Sequence, residues 1–66
     1  MKLIDRIRNH PSVESLENEL EDGWWAYLRP GWIDGEAMTH ALCEDTLSAI
    51  NLKLKFVRRK TPEDPL

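Results

Sequence analysis

The spacing of apolar residues changes period several times along the chain, and each change predicts an element. Leu3, Ile4 and Ile7 recur at helical spacing, with Lys2, Arg6 and Arg8 on the other side. Asn9-His10-Pro11 ends that run, because proline disfavours a helical residue before it. Two turns are too few for a helix to stand alone, so Leu3, Ile4 and Ile7 must pack on something else. Ser12 to Leu20 admits two readings. As a helix, Ser12 is the N-cap, Val13, Leu16 and Leu20 share a face, and Gly23 is the stop. As a strand, Val13 starts an edge segment whose glutamates face water and guard against edge pairing. Local propensity favours the helix. The need of the next segment for a neighbour across Glu21-Asp22-Gly23 favours the strand.

Trp24-Trp25-Ala26-Tyr27-Leu28 is the strongest strand signal, aromatic-rich and bounded by Asp22-Gly23 and Pro30-Gly31. Period two puts Trp24, Ala26 and Leu28 on one face and Trp25 and Tyr27 on the other. Arg29-Pro30-Gly31-Trp32 has proline and glycine where a type II turn needs them, and Asp34-Gly35 marks a second tight turn. A third extended piece is expected from Glu36 to Cys43, with Met38, His40 and Leu42 on one side and Thr39, Ala41 and Cys43 on the other. Leu47, Ile50, Leu54 and Val57 then form one apolar stripe of a closing amphipathic helix, flanked by Leu52 and Phe56. Asp45 or Thr46 caps it, acids sit at its positive end, and Lys53, Lys55, Arg58, Arg59 and Lys60 load its negative end. Residues 61–66, with two prolines and no periodicity, read as a disordered tail after a single domain over 1–60.

His10-Pro11, Leu28-Arg29-Pro30-Gly31-Trp32, and His40 followed by Glu44-Asp45-Thr46 form a pattern that resembles small uncharacterised bacterial and phage-type proteins, over residues 9 to about 57. In those proteins an HP pair precedes a β-hairpin ending in an L-x-x-G-W turn, and an E-D-T signature opens a final helix rich in Leu and Ala. The resemblance implies a helix-hairpin-helix outline and favours a strand over Val13 to Asn18. It brings no activity with it.

Size and composition narrow the picture. At 66 residues there is room for one core, and a chain this short buries only about 60% of its unfolded surface. With 41% hydrophobic residues and three Trp, the composition is that of a folded domain and not a disordered one. Cys43 is the lone cysteine, which excludes an intramolecular disulfide and a zinc site built on several thiolates, and a reducing, cytoplasmic setting is expected. No apolar run approaches the ~20 residues that span a bilayer, and Met1 to His10 alternates charges with aliphatics, so a soluble, unprocessed chain with no membrane partner is expected. Charge is divided: residues 1–50 carry four bases against ten acids, a net of −6, and residues 51–66 carry five bases against two acids, a net of +3. Internal charge complementarity is the plainer explanation for an acidic chain, and a basic binding arm is the other.

Candidate chemistry is sparse. His40, Cys43, Glu44 and Asp45 form the one cluster of metal-type or catalytic side chains, but His40 and Cys43 have opposite parity on a strand and point to opposite faces. Cys43 has no obviously placed histidine as its base. Phosphate loops, CxxC pairs, HExxH and nucleophile elbows are absent. No catalytic residue, metal ligand or cofactor is therefore assigned, and an enzyme is the least favoured class. For nucleic-acid binding the candidates are Lys55, Arg58, Arg59 and Lys60, disfavoured by the acidic pI and by the dipole explanation for bases at a helix end. Trp25, Tyr27 and Trp32 offer a protein-contact surface, because two helices covering the Trp24 face leave the opposite rings open.

The expectation is an α+β domain: a short N-terminal helix, an antiparallel β-hairpin or three-stranded sheet, and a C-terminal amphipathic helix packed on one face. Leu3, Ile7, Trp24, Ala26, Leu28, Leu47, Ile50, Leu54 and Val57 are its expected core. Its expected role is protein interaction or accessory regulation, with self-association or a protein partner; weak nucleic-acid binding is the alternative.

Overall fold

In the computed structural model, which describes residues 1–64, the aromatic segment forms the middle strand of an antiparallel sheet. The chain runs α1 (Leu3–Arg8), β1 (Val13–Glu19), β2 (Gly23–Leu28), β3 (Trp32–Asp34), β4 (Ala41–Glu44), α2 (Leu47–Lys53), a 3-10 turn (Leu54–Phe56) and β5 (Val57–Arg59). Strands β1, β2 and β4 form a three-stranded sheet in the order β1-β2-β4, and β3 pairs with β5 in a second, two-stranded sheet. This is the expected α+β class, with both helices on one side of the larger sheet.

The stretch from Ser12 to Leu20 resolves as a strand over Val13–Glu19. Val13 and Leu16 are both buried although they are three positions apart, and the register with β2 shifts between Val13 and Ser15. That irregularity adds one residue to β1 and returns both side chains to the core face. The entry to β1 is also tied down: Ser12 is fully buried, its carbonyl accepts from the Arg29 amide at 2.8 Å, and its own amide donates to His10 Nδ1 at 3.2 Å.

The core lies between the sheet and the helices. Ile7 from α1 and Ile50 from α2 are fully buried against Val13, Leu16, Ala26, Leu28, Leu42 and Leu54. Each of these side chains other than Ala26 contributes about 1.5 to 3 kcal/mol relative to exposure. Of the expected core, Ile7, Ala26, Leu28, Ile50 and Leu54 are buried, while Leu3, Trp24, Leu47 and Val57 pack at its margin. Val13, Leu16, Ile33 and Leu42 are additions.

Three expectations change. The third strand covers only Ala41–Glu44, because Met38 takes a left-handed φ of 58° and residues 35–40 form a loop closed by Asp34. Asp34 is buried, and its Oδ1 accepts from the Glu36 amide at 2.9 Å while its carbonyl accepts from the Met38 amide at 2.8 Å. The closing helix is shorter than expected. Thr46 caps it, with its side chain accepting from the Ala49 amide at 3.1 Å, but after Lys53 the helix tightens and Val57 turns extended. The Gly35 amide takes the Phe56 carbonyl at 2.8 Å, and Val57, Arg58 and Arg59 pair with Asp34, Ile33 and Trp32. Arg58 and Arg59 thus sit on a strand and do not load a helix end. Within the span 61–66, expected as a tail, residues 61–64 form a turn in which Asp64 grips Arg58; residues 65 and 66 lie outside the described residues.

Candidate functional site

The central position of β2 sets what each of its faces meets. Ala26 and Leu28 are buried under the helices, so Trp25 and Tyr27, one residue out of phase, stand on the opposite face. Directly paired residues of antiparallel neighbours share a face. Trp25 is therefore flanked by Glu17 of β1 and Cys43 of β4, and Tyr27 by Ser15 and Ala41. The two rings stack with centroids 6.1 Å apart and planes within 16°. Tyr27 remains 39% exposed and Trp25 is half-buried. The shortest dimension of the molecule, 17 Å, corresponds to one layer of helix over one layer of sheet. The outer face thus carries the aromatic pair, and the described residues enclose no pocket.

The chemistry around the rings is acidic. Glu17 lies beside Trp25, and Glu19 pairs with Gly23 one step further along the same face. The Cys43 thiol, beside Trp25 on the other flank, donates to the Asp22 carbonyl at 3.5 Å. Desolvation pushes the pKa of this exposed thiol up, and the carboxylates of Asp22, Glu44 and Asp45 push it further the same way. Such a thiol is a poor nucleophile at neutral pH. Among the described residues, no group of three or more His, Cys, Asp or Glu side chains converges on a metal-sized site.

Trp32 does not join Trp25 and Tyr27. It lies on β3, packs against the core and is covered by the Arg59 guanidinium, 4.4 Å from the ring centroid. Of the three rings expected at the contact surface, Trp32 thus lies on a different sheet from Trp25 and Tyr27. The bases of the alternative reading are largely engaged within the chain. Arg58 forms a two-pronged pair with Asp64, Nη1 to Oδ2 at 2.9 Å and Nη2 to Oδ1 at 2.8 Å. Lys53 pairs with Glu36 at 3.3 Å, which raises the lysine pKa. Arg59 lies on Trp32, leaving Lys55 and Lys60 without an ion pair among the described residues.

Glu17, Ala41 and Cys43 were not read from the sequence as neighbours of the aromatic pair. The signal that places Glu17 there is the Glu21-Asp22-Gly23 turn: once Glu19 pairs with Gly23, counting outward sets Glu17 against Trp25. Cys43 comes from a longer connection whose register no local signal sets.

No helix among the described residues is long and apolar enough to cross a membrane. No protein-family model matches the chain, and no solved structure matches it. Over 35 residues, 53% of the chain, it is 37% identical to a protein named probable glucokinase 2 from Trichomonas vaginalis, and it spans 9% of that protein's length.

Proposed function

We propose that this chain is a small protein-interaction or accessory regulatory module whose contact surface is the outer sheet face centred on Trp25 and Tyr27. The observation that carries this reading is the stacked aromatic pair on a sheet face opposite both helices. Aromatic residues are enriched in protein interfaces, where two stiff rings contribute contact area at low cost in side-chain entropy. The lone, exposed Cys43 thiol on the same face fits a reducing, cytoplasmic setting. The role is one of binding rather than catalysis, and it needs no cofactor.

Co-purification from host extract with wild-type chain and with a Trp25→Ser, Tyr27→Ser double variant as baits tests this reading, with sedimentation of each chain alone as the measure of self-association. A species held by the wild type and lost by the folded double variant supports it. Equal retention by both baits, with equal sedimentation, counts against it.

Weak nucleic-acid binding through Lys55, Arg58, Arg59 and Lys60 is the second reading, favoured by the clustering of five bases between residues 53 and 60. It ranks lower because Arg58 and Arg59 are engaged within the chain and the molecule is acidic. The 35-residue likeness to a probable glucokinase adds nothing to either reading, since it covers so small a part of that protein.

A further inference from the structure

We infer that the outer sheet face receives a cationic segment of a foreign protein, an arginine- or lysine-bearing stretch whose charged groups lie on the Trp25–Tyr27 stack and meet Glu17 and Glu19. This rests on the proposal that the face is a contact surface, and it names the chemistry of the partner.

Charge complementarity carries the inference. At the paired positions of this face the charged side chains are Glu17 and Glu19, both acidic, and Glu17 is the direct cross-strand neighbour of Trp25. The base of matching parity, Arg29, lies beyond the end of β2. A cation over an indole or phenol ring is attracted by the negative face of the ring, and a carboxylate at its edge adds to the same attraction. The chain contains this contact once already, with Arg59 over Trp32 at 4.4 Å across a pair of antiparallel strands. Asp22, Glu44 and Asp45 lie near enough to Cys43, on the other flank of Trp25, to add to the rise of its pKa that desolvation begins.

The same charges argue against a second copy. Two identical faces brought together about a two-fold axis would gather four carboxylates, with only Arg29, beyond the end of β2, as a base of matching parity in each copy. For head-to-tail docking, Arg58 is held by Asp64 and Arg59 by Trp32, which leaves Lys55 and Lys60 of the C-terminal bases to meet Glu17 and Glu19. Glu17 and Glu19 would repel the phosphates of a nucleic acid brought to this face.

The test is a titration of the full chain with an unstructured arginine-rich peptide and a glutamate-rich peptide of equal length, followed by tryptophan fluorescence and by amide chemical shifts. The arginine-rich peptide should shift the amides of Glu17, Trp25, Tyr27 and Cys43, and its binding should weaken with added salt. The glutamate-rich peptide should leave them unchanged. A Glu17→Lys, Glu19→Lys variant should weaken binding by about tenfold or more, whereas Glu63→Lys, which changes net charge away from the face, should not. Glu17→Gln, a milder change at an exposed position, should lie between the two. Absence of binding, shifts confined to other residues, or equal weakening by Glu63→Lys would overturn the inference. Self-association of the chain that is lost in the aromatic double variant, without any peptide binding, would overturn the cationic partner and leave the contact surface standing.

Discussion

The Asp64 carboxylate closes on the Arg58 guanidinium through two parallel contacts of 2.8 and 2.9 Å, and it also accepts from the Thr61 amide at 2.7 Å. The carboxylate side chain is only 6% exposed, so residues 61–64 are held against β5. Arg58, with help from the Thr61 amide, holds the Asp64 carboxyl far below the usual carboxylate range. The folded state thus keeps its charge at pH values where the unfolded chain takes up a proton. The stabilisation is complete above the ordinary Asp value of about 3.9 and is lost as pH falls below it toward the depressed folded value. Acid titration followed at the Thr61 amide should show the 61–64 turn opening in that window. Asp64→Asn should open the turn at neutral pH and flatten this part of the pH profile.

Leu54 packs in the core from the 3-10 turn, and truncating it leaves a cavity beneath the sheet. Leu54→Ala should cost about 2 to 5 kcal/mol, enough to unfold much of so small a domain. A loss below about 0.5 kcal/mol in urea melts, the scale of ordinary surface changes, would contradict the assignment of this position.

Gly23 and Gly31 separate two effects of glycine. Both have positive φ, 82° and 90°, so a side chain at either costs about 1 to 2 kcal/mol in backbone strain. At Gly31 an added Cβ meets nothing nearer than Arg59 Nη1 at 3.7 Å, whereas at Gly23 it lies 2.6 Å from the Glu44 carbonyl oxygen. Gly23→Ala should therefore destabilise more than Gly31→Ala, by loosening the β2–β4 edge as well. Equal losses in parallel denaturant melts would show that β4 yields freely.

Much of the fold was legible, and its failures have a common cause. The alternation of β2, the Pro30-Gly31 turn, confirmed by the Trp32 amide donating to the Arg29 carbonyl at 3.1 Å, and the Thr46 cap are local features. Local spacing misled where partners are distant. Val13 and Leu16 mimic a helical stripe because β1 carries an extra residue, and Leu20, the third member of that stripe, is fully exposed in the turn. Val57 continues the stripe of Leu47, Ile50 and Leu54 but leaves the helix because Asp34 pairs with it. Of the candidate site, the outward parity of Trp25 and Tyr27 could be counted from the strand itself. The capture of Trp32 by Arg59 depended on β3 meeting β5, which no local pattern announces.

Labelled single- and double-stranded oligonucleotides at physiological salt should show no micromolar binding. Arg58 and Arg59 would first have to leave Asp64 and Trp32, and the acidic chain repels phosphates. Micromolar affinity that falls steeply with salt and disappears on replacing Arg58, Arg59 and Lys60 would reverse the order of the two functional readings.

The most direct test of the central claim compares the wild type with the Trp25→Ser, Tyr27→Ser double variant in denaturant melts and in partner capture. Because both rings lie on the face opposite the core, the variant should keep its circular dichroism spectrum and remain a cooperatively folded monomer. It should lose whatever the wild type retains, a copy of itself in sedimentation or a foreign protein in a pull-down. A variant that unfolds as a monomer, or one that stays folded and holds the same partner as the wild type, would contradict the assignment of this aromatic face to binding.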